Sequence, residues 1–306
     1  MKNPKVALVA ACAVVVVWAF TASAATCTYT GSWDTTPTSA EDEIVIESGT
    51  LTWDATLPQT VASWTQNGGT VTFKTGRSDN ANTIGVEEGD ERVFKVTGDV
   101  TINGGTVMHE VQPSMSASSA GWIDGKGVYR LIMDIGGNLV VAEGASISAT
   151  GKGFLSGQKG PGACNRGGCH GGSGGDNSGD NGTSLVNKGK MYGSVKAPKT
   201  IGSTGSGSMN GGGSIQLTVA KNTVLNGTLE ANGASGGWYG SAGGSVYLST
   251  KSLTGSANSV IAARGSGSSC CGAGGRIAVK LTGAGENFDG YLGSVSAQPL
   301  YFSSSN

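Results

Sequence analysis

Three hexapeptides, "GGSIQL" at Gly212, "GGSVYL" at Gly243 and "GGRIAV" at Gly274, begin 31 residues apart. In each, a glycine pair leads into a strand whose aliphatic residues alternate with polar or small ones. A second strand follows in each unit at a similar phase: "GTLEANG" (residues 227–233), "SVIAARG" (259–265) and "GSVSA" (293–297). A less complete copy, "GGNLVVAEGASISATGKG", occupies residues 136–153. A shorter repeat runs through the front half, with "GTLTW" at Gly49 and "GTVTF" at Gly69. "GDVTI" at Gly98 and "GTVMH" at Gly105 continue it at irregular spacing.

Short alternating strands at a fixed period, without intervening helices, predict a β-solenoid. One coil cannot bury its apolar face, whereas stacked coils shield Val, Ile and Leu of successive turns in a continuous column. The expected fold is therefore all-β, a right-handed parallel β-helix with glycine-rich loops on one side. Ile215, Val246 and Ile277 are predicted to stand on consecutive rungs, and nine to twelve rungs are expected. The alternative, a β-sandwich, explains the strands but not glycine pairs held in phase. The period divides the chain into N-terminal coils over 25–150, a glycine-rich inserted loop over 151–211, and 31-residue-repeat coils over 212–306. The 54 glycines in 306 residues, more than twice the usual share of about 7%, are read as corners and close-packed backbone. No Gly-x-x-x-x-Gly-Lys-Ser/Thr occurs, so a phosphate cradle is not expected.

The first 24 residues are set apart as a signal peptide. Lys2 and Lys5 precede the apolar run "VALVAACAVVVVWAF", and Ala22-Ser23-Ala24 supplies the small-x-small cleavage pattern. The run is shorter than the roughly 20 residues of a spanning helix, and no second apolar segment follows. The mature chain is thus expected to be secreted or cell-surface, with no membrane span. Lipid attachment at Cys27 would call for a larger aliphatic residue where Ala24 stands. With 20 basic and 21 acidic residues, the chain lacks the basic excess of a nucleic-acid binder.

Export also decides the reading of the cysteines. Cys12 leaves with the signal, and disulfides are the default in an oxidising compartment. Cys164, Cys169, Cys270 and Cys271 are the disulfide candidates, with pairings between the long loop and the short one favoured. Zinc at these cysteines and His170 is disfavoured by their spacing. Cys27 is then the odd thiol, unpaired or bonded to another molecule.

Residues 31–55, "GSWDTTPTSAEDEIVIESGTLTWDA", resemble the opening of secreted bacterial parallel β-helix proteins. There a Trp and a Pro precede an Asp-x-ϕ-ϕ-ϕ strand and a Gly-Thr turn; here Asp42 precedes the strand 44–46. The repeats from "GGSIQL" to "GGRIAV" are similar to the glycine-rich solenoids of bacterial surface and autotransporter-passenger-like proteins. This resemblance implies fold and location and names no catalytic activity.

Candidates for chemistry are few. Asp176, Ser178 and Asp180 in "GGSGGDNSGDNG" alternate as calcium ligands do, but Ser178 stands where the nonapeptide pattern needs an apolar residue. The mature chain has two histidines, His109 and His170, neither in a Ser/His/Asp setting. Glycosidase chemistry would need paired carboxylates, for which Asp134 with Asp99 or Glu143 is the available set. Trp238 and Tyr239, at the tip of a glycine loop, are candidate glycan contacts. The Thr-Leu-Thr and Thr-Val-Thr pairs are too few to make an array. The expected role is structural or adhesive without catalysis, with a glycan or surface matrix or a homo-oligomer as possible partners. The alternatives are a carbohydrate-active β-helix, lyase or hydrolase, and a non-catalytic glycan-binding module.

Overall fold

The structure, a computed structural model, describes residues 24–74, 93–113, 128–158, 160–163, 167–174, 190–205, 209–236, 239–267 and 272–299. The twenty strands among these residues wind as successive turns. β1 (Thr26–Thr30) is the first rung. β2 (Glu43–Ser48), β3 (Thr50–Trp53) and β4 (Thr60–Val61) make the next turn, and β5 (Ser63–Gln66), β6 (Thr70–Phe73) and β7 (Phe94–Val96) follow. β8 (Val100–Ile102), β9 (Thr106–His109) and β10 (Leu131–Ile135) precede β11 (Leu139–Val141), β12 (Ser146–Ser148) and β13 (Ser214–Val219). β14 (Thr223–Leu225), β15 (Thr228–Glu230) and β16 (Ser245–Thr250) lead to β17 (Leu253–Thr254), β18 (Val260–Ala262) and β19 (Arg276–Leu281). β20 (Ser294–Ser296) is last.

From β5 to β19 each strand stacks in parallel on the one three before it, while β1 pairs with β2 and β20 with β18. Sheet 1 has the order β1-β2-β5-β8-β11-β14-β17, sheet 2 β3-β6-β9-β12-β15-β18-β20 and sheet 3 β4-β7-β10-β13-β16-β19. All named strand pairs are parallel, which excludes the β-sandwich. In sheet 3, Leu131, Ile215, Val246 and Ile277 form one ladder in register. Met133, Leu217, Leu248 and Val279 form the next inward ladder. One continuous core receives side chains from all three sheets. At its N-terminal end the core is aromatic: Trp53, Trp64, Phe73 and Phe94 are at most 1% exposed, with ring centroids 4.9–6.2 Å apart.

Among the described residues the sheets hold six or seven rungs each, fewer than the nine to twelve expected; at the usual rung spacing this is roughly 30 Å of rod. The missing rungs went into the connections. Chain passes from sheet 1 to sheet 2, and from sheet 3 back to sheet 1, through short turns. The five longest connections leave from the corner between sheets 2 and 3, at residues 74–93, 110–130, 149–213, 231–244 and 263–275; 31–42 and 282–293 are the long links at the two ends. The "Gly-Thr" motif makes the corner between sheets 1 and 2. Gly49, Gly69 and Gly105 adopt φ of 89°, 73° and 77° and stack on one another, a conformation that other residues reach only with strain.

The last three long connections, at 149–213, 231–244 and 263–275, are the glycine-rich arms. As the reading of close-packed backbone implies, their described residues pack into a solid body beside the solenoid. Gly168, Gly202, Gly211, Gly212, Gly243, Gly244, Gly272, Gly274 and Gly275 are all buried. Their amides bond from arm to arm: Gly168 to the Gly240 carbonyl (2.9 Å), Gly212 to Ala242 (2.9 Å) and Gly243 to Ala273 (3.0 Å). None of these nine has a left-handed φ. Glycine is required because backbones lie against backbones: a Cβ on Gly244 would overlap the Gly213 carbonyl, and one on Gly275 the Gly244 carbonyl.

Asp42, the acid of the opening motif, is buried and clamps the first turn. Its carboxylate accepts from the amides of Ala25 (3.1 Å), Thr38 (2.8 Å) and Ser39 (2.9 Å). Burial alone would raise its pKa, but these three donors hold it below the ordinary value. Asp42→Ala leaves the three amides without their acceptor and is expected to cost about 2–3 kcal/mol, read from urea unfolding.

Candidate functional site

The densest group of chemistry-bearing side chains sits inside the glycine body. His170 is fully buried; its Nδ1–H donates to the Gly243 carbonyl (2.7 Å), which leaves Nε2 to accept from the Thr200 hydroxyl (2.7 Å). The Tyr192 ring packs on the imidazole, centroids 4.7 Å apart, and its hydroxyl donates to the Ile201 carbonyl (2.6 Å) while meeting Ser203 Oγ (2.7 Å). Ser203 Oγ accepts from the Gly162 amide (3.0 Å), and Ser245 Oγ donates to the Thr200 carbonyl (2.6 Å). Arg276 Nε donates to the Tyr192 carbonyl (2.9 Å). Cys169, also buried, accepts from the Gly174 amide (3.1 Å).

A histidine accepting from a hydroxyl forms half of a nucleophile-base arrangement. Here the group orienting the imidazole is a backbone carbonyl and every participant is sealed from solvent. Burial pushes the His170 pKa down to about 4, so the ring is a weak base at neutral pH. The same burial holds the Tyr192 hydroxyl above its ordinary range. What the arrangement does is fasten: His170 ties the long arm to the next arm at Gly243, and Ser245 and Arg276 tie it to β16 and β19.

His109 plays the matching part at the root of the long arm. Its Nδ1–H donates to the Glu110 carbonyl (2.8 Å) and its Nε2 accepts from the Ser214 amide (3.1 Å). Burial, reinforced by the charges of Lys152 and Arg130, lowers its pKa to about 3. The sequence carried a signal for this. His109 alternates with Val107 in β9 and stands in register with Phe73, so it faces the core.

Both imidazoles are neutral when folded and titrate near 6.5 when unfolded. Below pH 6.5 the unfolded chain takes up protons that the folded chain refuses, so stability is complete above that pH and falls with acidification towards 4 and then 3. Between pH 6.5 and 5, above most carboxylate titration, each histidine is expected to remove about 2 kcal/mol. Urea midpoints measured across this window should fall steadily. In His109→Gln/His170→Gln the slope should vanish from a lower starting stability. A flat wild-type profile would contradict the assignment.

The carboxylates weighed for catalysis are not brought together. Asp134 projects outward from sheet 3 with Lys95 and Thr218 beside it in register. Asp99 lies in the turn between β7 and β8, where it accepts from the Asn138 amide (2.7 Å) and side chain (3.1 Å). Glu143 lies in the turn between β11 and β12 and accepts from Asn258 (3.2 Å). Asp99 heads a polar corner ladder: Asn138 accepts from the Asn222 amide (3.2 Å), and Asn222 from Ser252 Oγ (2.8 Å).

Cys27 faces the core from β1 with no exposure and forms no disulfide among the described residues. Enclosed beside Ile44 in the next rung, its thiol is not presented to a partner or a lipid, and burial raises its pKa. Tyr239 is half-buried. Cys164, Cys270, Cys271, Asp176, Ser178, Asp180, Trp238 and the signal segment 1–23 lie outside the described residues. No group of three or more His, Cys, Asp or Glu suited to a metal occurs among the described residues. Among them, too, no helix is long and apolar enough to cross a membrane.

One surface feature was legible only in fragments. The outward positions of sheet 2 align Thr50, Thr70, Thr106, Ser146 and Thr228 on successive rungs, with Val260 and Ser294 beyond. The two Thr pairs seen in the sequence open this row, and the insertions hide its continuation. The companion row, Thr52, Thr72, Met108, Ser148, Glu230, is broken by Met108 and ends in an acid. Comparison of the chain with models of known families, with curated proteins and with solved structures gives no match.

Proposed function

We propose that the chain is an exported β-solenoid, secreted or held at the cell surface, with a structural or adhesive role and no catalysis. One observation carries this reading: the residues best suited to chemistry are spent on architecture. His109 and His170 lock the arms as neutral rings, Asp42 clamps the first turn, and Asp99 caps an asparagine ladder. The rod with arms packed along one corner suits a spacer or display element in a surface layer. The resemblance of residues 31–55 to secreted bacterial β-helix proteins agrees with this location.

The hydroxyl row of sheet 2 favours a second reading, glycan binding without turnover. It offers hydrogen-bonding groups at one-rung intervals on a solvent-facing strand surface. Incubation with pectin, alginate and sulfated glycans separates the readings. Neither retention nor release of chain ends is the result expected of a structural role. Retention alone supports glycan binding, and release of new chain ends overturns the non-catalytic proposal.

A further inference from the structure

The two ends of the solenoid differ. At the N-terminal end the free edge of β1 is occupied by its own chain: the Thr28 amide donates to the Asp34 carboxylate (2.6 Å), and the Asp34 amide returns to the Thr28 carbonyl (3.0 Å). Tyr29 bridges to Trp33, whose ring packs against Tyr29 and Trp53 at 5.1 and 6.0 Å. At the other end β19 and β20 are the last strands of sheets 3 and 2, and among the described residues no strand covers them. Ile277, Val279 and Leu281 face inward, yet they are only partly buried, whereas Val246 and Leu248 one rung below are sealed. Val295 is 56% exposed above a fully buried Ile261, with Phe288 and Leu292 exposed beside it.

We propose that this end is an interface at which a second copy of the chain docks, β19 against β19 in antiparallel pairing about a two-fold axis through Val279. The register follows from the strand's sequence, Arg276-Ile277-Ala278-Val279-Lys280-Leu281. Centring on Val279 sets Ile277 opposite Leu281 and Ala278 opposite Lys280, so the inward faces continue and no like charges meet. Centring on Ala278 sets Arg276 opposite Lys280, which is unfavourable. This end also carries charge of both signs, with Lys280, Glu286 and Asp289 all exposed, so it does not repel a second copy as a single-sign surface would. Head-to-tail growth has a poor counterpart: residues 32–34 occupy the edge of β1, and β4, which opens sheet 3, offers only the two residues Thr60–Val61; the contact therefore closes as a pair.

The test is sedimentation equilibrium of the mature chain, with thermal unfolding as the control for folding. The wild type is expected to be a monomer–dimer system. Ala278→Lys places cations opposite one another twice per dimer and is expected to raise the dimer Kd at least about tenfold. Adding Lys280→Glu to that variant restores the pairing and is expected to recover the dimer. Leu292→Asp, at a 68% exposed position, should weaken it without loss of folding. A wild type that stays monomeric up to about 100 μM overturns the proposal, as does a dimer indifferent to Ala278→Lys. A chain that dimerises only after removal of residues 300–306 also overturns it, naming the chain's own tail as the occupant. Capture of another protein by a chain that stays monomeric overturns it as well.

Discussion

Gly244→Ala is expected to destabilise the protein by about 3 kcal/mol or more, although it adds a single methyl group. Gly244 sits where the second arm enters β16. Its amide donates to the Ala231 carbonyl (2.7 Å), and its own carbonyl accepts from Arg276 (2.9 Å). A Cβ there overlaps the Gly213 carbonyl and presses on the carbon and oxygen of Gly212. Backbone on one side and backbone on the other leave no side chain to rotate away, so relief requires separating rungs that share hydrogen bonds. The control is Gly172→Ala, where the nearest atom to the new methyl is the Ala273 Cβ at 3.9 Å and φ is not left-handed. That variant should be within about 0.5 kcal/mol of the wild type, or gain up to about 1 kcal/mol through a less flexible unfolded chain. Equal behaviour of the two in urea unfolding would mean that the glycines serve loop flexibility rather than packing.

Trp53→Ala is expected to cost about 4 kcal/mol, near the upper range for a buried ring. The indole is fully buried, touches Trp33, Trp64, Phe73 and Phe94, and donates from Nε1 to the Pro58 carbonyl (3.0 Å). Its removal opens a cavity among rings too stiff to collapse into it and strands the Pro58 carbonyl. At 2–4 °C per kcal/mol for a chain of this size, the melting temperature should fall by roughly 10 °C. Trp53→Phe, which keeps most ring contacts, should lose about half as much. A loss under about 1 kcal/mol for Trp53→Ala would show that the aromatic plug contributes little.

The C-terminal half of the solenoid was legible because its signal is in side chains. The glycine pairs at 212, 243 and 274 and the alternation behind them fix which residues share a rung, and the Ile215, Val246, Ile277 ladder follows. Sheet 1 was legible only in part: β8 and β11 lie in the quoted repeats, whereas β14 and β17 run only three and two residues, too short for alternation to stand out. The rung count was overestimated because the connections at 74–93 and 110–130 lengthen turns in the segment read as short-period coils.

The glycine body was legible only as close-packed loops on one side, without its partners. Its contacts are amide to carbonyl between arms, and glycine has the same sequence signature in a loose loop as in a packed one. The His170 fastening escaped for a related reason: Thr200 and Gly243 come to it from 30 and 73 residues away, without a period to announce them. His109, by contrast, betrayed its burial through its place in a strand.

Amide hydrogen exchange tests the central claim most directly, because it reads whether the arms are packed. Gly168, Gly202, Gly212 and Gly243 each donate a backbone bond across the body. They should exchange as slowly as the Val246 and Leu248 amides of β16, through the same cooperative opening. Exchange of these four amides at the rate of an unstructured chain, with β16 still protected, would contradict a packed glycine body and leave only a solenoid with loose loops.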